Sequence, residues 1–117
     1  MSTIGGLPEG RVRRVTAYIE SNLHRELRLA DLSAVTYMSP FHFARLFKRA
    51  TGVSPHHFVL QRRMDAAMAL LTDSPCSITS IARTVGFTTA SHFATTFRRM
   101  IGVTPTAYRT RTAARLS

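Results

Sequence analysis

Acidic residues are scarce in this chain of 117 residues. Six Asp and Glu stand against sixteen Lys and Arg, a formal net charge of +10, and Lys48 is the single lysine among those bases. No acid occurs over residues 32–64, which carry five bases, or over residues 74–117, which carry six. Arginine presents a flat fork of donors that fits phosphate and guanine edges bidentately, as a lysine ammonium does not. A solvated surface accounts for such a surplus as readily as a nucleic-acid partner, so charge alone leaves both open. Tryptophan is absent, and the one cysteine, Cys76, excludes an internal disulfide framework. No apolar run reaches transmembrane length and no basic amphipathic helix stands apart from the packed pattern, which makes a membrane the weaker partner. The opening ten residues lack the charged and apolar regions of a signal peptide, which points to the cytoplasm. Metalloprotease HExxH, paired CxxC and glycine-rich phosphate loops are all missing. No catalytic role, metal or cofactor is therefore expected.

What is present is a repeat. Residues 42–58 and 92–108 are fifty apart and share eight of seventeen positions: His-Phe-Ala, then Phe, Arg, Gly-Val and Pro. These are the inner face of a helix, its stop and the start of the next. The varied positions, Phe41, Arg45 and Lys48 against Ser91, Thr95 and Arg98, belong to an outer surface. A repeat that keeps packing and changes the outside carries its function on the outside. At 44% hydrophobic and 19% charged residues the composition is that of a globular chain, long enough to bury a core without a staple.

In chain order, residues 2–6 read as a flexible start, and Pro8 suits the first turn of a helix whose stripe is Val12, Val15, Ile19 and Leu23. A short helix with Leu29, Leu32 and Val35 follows, poorly capped because Arg28 stands where Ser or Thr is expected. Ser39-Pro40 starts a helix burying Phe43, Leu46, Phe47 and Ala50, with Phe41, Ala44, Arg45 and Lys48 facing outward. Gly52 stops it, and Ser54-Pro55 opens a helix of about eighteen residues, roughly 27 Å long. Ser77 caps the next short helix, which repeats the 29–36 pattern at an offset of 49. Gly86 then falls where the first copy has Tyr37, so Tyr37 must be strained or sit in a different turn. The offset becomes 50 at the Phe-Ala signature, which places one extra residue among Thr88, Thr89 and Ala90. Phe93, Thr96, Phe97 and Ile101 pack the second outer-surface helix. Gly102 stops it, Thr104-Pro105 starts a last short helix, and residues 111–117 are expected to fray.

The second copy, ITSIARTVGF from Ile78 and HFATTFRRMIGVTPTAYR from His92, closely resembles the signature of AraC/XylS-type transcription regulators, and the match runs back to about Pro8. The resemblance implies an all-α fold of about seven helices: two helix-turn-helix subdomains, homeodomain-like, joined by a long central helix, an architecture the repeat reaches independently. The expected division is 1–7 start or linker, 8–53 first subdomain, 54–72 connecting helix, 73–110 second subdomain and 111–117 tail. The implied function is a sequence-specific double-stranded DNA-binding regulator that places two recognition helices, about 40–50 and 90–101, in successive major-groove segments of an asymmetric site. Base contacts map onto Phe41, His42, Ala44 and Arg45 in the first copy and Ala90, Ser91, His92, Ala94 and Thr95 in the second. Arg45 can bond guanine N7 and O6, and Phe41 and Ala44 can pack on thymine methyls. Phosphate contacts fall to Ser39, Lys48, Arg49, Thr89, Arg98 and Arg99. Arg62 and Arg63 are open between phosphate contact and a solvated or structural role.

Other partners are weighed beside DNA. RNA polymerase contact is common in the resembled family and coexists with DNA binding, as does activation. A protein-interaction module is the rival reading for one outer face. The chain is either stand-alone, binding DNA as a monomer among the nucleoid, or part of a larger regulator with an effector or dimerising domain, its linker represented by Gly5 and Gly6. The pairs His42/His92 and His56-His57 are expected at the surface rather than around a metal, and Cys76 as an inert thiol.

Overall fold

The computed structural model describes residues 3–4 and 7–116. An antiparallel ladder of two residues a side, β1 (Thr3–Ile4) with β2 (Leu7–Pro8), precedes seven helices. These are α1 (Glu9–Ser21), α2 (Leu29–Val35), α3 (Pro40–Thr51), α4 (Pro55–Asp73), α5 (Ile78–Thr84), α6 (Ala90–Ile101) and α7 (Pro105–Leu116). The fold is all-α, with two helix-turn-helix units and the long helix between them. The chain divides within α4 into two compact units, Met1–Gln61 and Arg62–Ser117.

In the first unit α1, α2, α3 and the start of α4 enclose a core of Val15, Ile19, Leu32, Phe43, Phe47 and Val59, all at most 4% exposed. Each buried Phe contributes roughly 1.5 to 3 kcal/mol. Phe43 and Phe47 sit one turn apart on α3 with centroids 5.4 Å apart, and Phe58 meets Phe47 edge-on at 5.3 Å. The second unit repeats the arrangement with Met64, Leu71, Ile81, Phe93 and Phe97, and Tyr108 meets Phe97 edge-on at 5.8 Å.

Both helix-turn-helix turns close in the same way. The Met38 N–H donates to the Ser33 carbonyl at 3.2 Å, and the Phe87 N–H donates to the Ala82 carbonyl at 2.9 Å. This helix ending needs a left-handed residue just before the donor. Gly86 supplies it at φ 94°, and Tyr37 supplies it at φ 58°. Tyr37 is thus strained in the same turn rather than relaxed in another, at a cost of roughly 1 kcal/mol or more. The extra residue of the second turn lies between Phe87, which is buried against Phe93, and the cap Thr89.

Several expectations need correction. Within the start expected to be flexible, Thr3 and Ile4 pair with Pro8 and Leu7; Gly5 and Gly6 lie outside the described residues. Pro8 ends β2, and the helix begins after it at Glu9. Arg28 gives α2 no side-chain cap, as expected, but the helix start is supported from the other direction, the Asp31 carboxylate accepting the Arg28 backbone N–H at 3.0 Å. The last helix is not short: α7 continues to Leu116, across most of the segment 111–117 expected to fray. Thr104 caps α7 by accepting the Ala107 N–H, and the Thr110 and Thr112 hydroxyls bond carbonyls one turn back.

Arg109 holds α7 in place. Its Nε donates to the Leu71 carbonyl and its Nη2 to the Ser74 carbonyl, both at 3.1 Å, satisfying the exposed end of α4. Replacing Arg109 by Ala should destabilise the protein by roughly 2 to 3 kcal/mol, seen as a lower urea midpoint, with Lys restoring only part because it lacks the fork.

Candidate nucleic-acid interface

The two outer-surface helices are built on one plan. Residue by residue, the sequence of exposed, half-buried and buried positions is the same over 41–55 as over 91–105. Each helix starts from a hydroxyl cap: Ser39 accepts the His42 N–H at 3.3 Å and Thr89 accepts the His92 N–H at 3.1 Å. Each ends at a left-handed glycine, Gly52 at φ 85° and Gly102 at φ 95°, whose N–H donates to the Lys48 or Arg98 carbonyl at 2.8 Å. The twelve residues of each helix span roughly 18 Å, and the major groove is about 12 Å wide.

Helical spacing assembles the outer faces. Phe41, Arg45 and Lys48 lie along one exposed stripe of α3, with His42 and Arg49 beside it; Phe41 is 80% exposed. On α6 the matching stripe is Ser91, Thr95 and Arg98, with His92 and Arg99 beside it. The His92 ring stands edge-on to Phe87 at 5.2 Å, which fixes it against the turn. No acid occurs on either helix. The pairs Lys48-Arg49 and Arg98-Arg99 occupy the last turns, where they also complement the helix dipole.

The alanines are placed differently. Ala44 is half-buried and lines a cavity of about 300 Å³ with Leu29, Leu32, Pro55 and Val59, so it faces α2 and α4 rather than lying fully outside. Ala90 and Ala94 are half-buried too. Ser39 and Thr89 spend an oxygen lone pair on their caps and keep the hydroxyl proton to donate.

The remaining cations divide. Arg62 pairs with Asp65 at 3.8 Å on an exposed face of α4. Arg63 lies 6.0 Å above the Phe87 ring, and its burial pushes the guanidinium below its ordinary pKa. Arg28 pairs with Glu26, and that hydrogen bond holds it above its ordinary value. Arg63, left open in the sequence between phosphate contact and a solvated or structural role, is half-buried over an aromatic ring, and Arg109 bonds the end of α4. Tyr37 was not among the expected contact residues, although its mismatch with Gly86 marked the position. Among the described residues no three His, Cys, Asp or Glu side chains gather around a metal position, and no helix is long and apolar enough to cross a membrane.

Comparison with known proteins follows the same outline. A helix-turn-helix domain family model matches residues 32–111. The regulatory protein PocR of Salmonella typhimurium is 39% identical over 109 residues, covering 92% of this chain and 36% of that protein. The probable transcriptional regulator LumQ of Photobacterium leiognathi is 36% identical, over 78% of this chain and 37% of that protein. The chain therefore spans about a third of the length of these curated relatives. Among solved structures, the DNA-binding domain of AdpA in complex with a target DNA superposes with a TM-score of 0.85 at 32% identity, over 90% of this chain and 95% of that one. A probable AraC family transcriptional regulator from Rhodopseudomonas palustris gives 0.76 at 34% identity, over 89% and 98%.

Removing either cap hydroxyl tests how the faces are held. Ser39→Ala and Thr89→Ala should each lower stability by about 1 kcal/mol in urea denaturation.

Proposed function

The chain belongs to the AraC/XylS-type family of helix-turn-helix transcription regulators, and on that footing we propose how its sequence-specific DNA binding is divided between its two units. Helix α3 reads bases in one major-groove segment and α6 enters the next segment of the same duplex. The observation that carries this is the shared plan of 41–55 and 91–105, in which the buried pairs Phe43/Phe93 and Phe47/Phe97 recur while the exposed stripe Phe41, Arg45 and Lys48 becomes Ser91, Thr95 and Arg98. A duplex site read by two unlike faces is asymmetric, so one chain covers both halves without dimer symmetry.

The first face is the better reader. Arg45 donates two bonds to guanine N7 and O6, Phe41 packs against a thymine methyl, and His42 contacts an adjoining base edge. Ala44, being half-buried, adds at most a methyl contact. The second face reads through Ser91, His92 and Thr95, with Ala90 and Ala94 permitting close approach, and otherwise clamps the backbone. Lys48, Arg49, Arg98 and Arg99 supply phosphate contacts, aided by the Ser39 and Thr89 hydroxyls. Arg62 and Arg63 are left to the fold. The expected subdomain bounds, 8–53 and 73–110 about a 54–72 connector, are kept as the DNA-binding division. In a longer regulator RNA polymerase is a second partner, activation the expected outcome and a further domain the means of dimerisation. Residence with the nucleoid in the cytoplasm follows from DNA as the ligand.

Selection of bound duplexes from a random DNA pool tests the reading directly. It should return one site of two unequal, non-palindromic halves; a palindrome would overturn the division of labour. On that site Arg45→Ala should cost about 1 to 3 kcal/mol and relax one base position, whereas Arg99→Ala should weaken all sequences alike. With about six phosphates neutralised, affinity should fall with salt at a log–log slope near −5, and a flat response would favour a protein partner instead.

A further inference from the structure

We infer that Tyr37 is a DNA-backbone contact of the first unit, its ring lying along a deoxyribose of the strand that borders the groove and its hydroxyl donating to a phosphate. This rests on α3 entering the major groove. Three observations meet at this residue. Its backbone is held at φ 58° by the ending of α2, in a place where Gly86 serves the second unit without strain. Its side chain is 85% exposed, and among the described residues no hydrogen bond or ring contact engages it. The folded protein thus bears the strain and gains no packing in return. Lastly, the large apolar side chains found exposed among the described residues are Leu29, Tyr37 and Phe41, all in the first unit.

Tyr37 and Phe41 stand four residues apart across the start of α3, where the second unit has Gly86 and Ser91. A turn that leads directly into a groove-bound helix passes beside the sugar–phosphate strand. A tyrosine suits that surface, since its ring covers the apolar face of a sugar and its hydroxyl reaches an acceptor oxygen. Glycine would relieve the turn, so a tyrosine there stabilises something other than the free fold.

The test uses the duplex recovered by selection, with affinity read by fluorescence anisotropy and stability by urea denaturation. Tyr37→Gly should raise the urea midpoint while weakening DNA binding about five- to tenfold, an opposition that a merely structural residue does not produce. Tyr37→Phe should leave the midpoint near wild type and weaken binding about two- to fivefold, equally on the selected duplex and on its single-base variants. Unchanged or tighter binding by Tyr37→Gly would overturn the inference, as would a loss by Tyr37→Phe at one base position only. Failure of the wild-type chain to bind any selected duplex would instead overturn the groove reading of α3, and this inference with it.

Discussion

The structure depends on two phenylalanines one turn apart on each outer-surface helix. Phe43 and Phe47 in the first unit, and Phe93 and Phe97 in the second, are fully buried. Their neighbours Phe58 and Tyr108 come from the helix that follows. Because the rings fix the rotation of α3 and α6 about their own axes, they also decide which residues face outward. A shift of one residue in the apolar pattern would turn a helix by about 100° and bury the basic stripe. The core is therefore the element that aims the surface.

The charge surplus looks different once residues are placed. Fifteen arginines in the sequence left a solvated surface and a nucleic-acid partner equally open. Arg109 instead closes the end of α4, Arg63 lies half-buried over an aromatic ring, and Arg28 and Arg62 face carboxylates. The basic groups held on the outer faces of α3 and α6 are a smaller set, concentrated in their last turns. Position, rather than total charge, separates the cations left on the outer faces of α3 and α6 from those engaged within the fold.

Much of this was legible in the sequence because the signals were local and strong. Ser39-Pro40, Ser77, Gly52 and Gly102 punctuate helices where they were expected to, and the Phe spacing marked the buried faces. The misses have physical causes. The capping of α2 by Asp31 reverses the usual direction, with the side chain three residues on serving a backbone N–H. Residues 105–116 hold a helix on a Thr cap, on hydroxyl bonds within the helix and on one arginine, Arg109, that donates to the Leu71 carbonyl 38 residues away in sequence, none of which shows as an apolar stripe. Ala44 read as outward because a small residue next to Arg45 fits a surface, whereas it is half-buried and lines a cavity with residues of α2 and α4.

The shared burial plan of the two outer-surface helices separates two kinds of selection. Inner positions answer to the stability of each unit, and outer positions answer to whatever the face must touch. Substitutions at Phe41 or Ser91, Arg45 or Thr95 alter the face with little claim on the core, so a duplicated pair of units can drift apart in what they recognise while each remains folded. A tandem repeat of this design is a means of acquiring new specificity one half at a time.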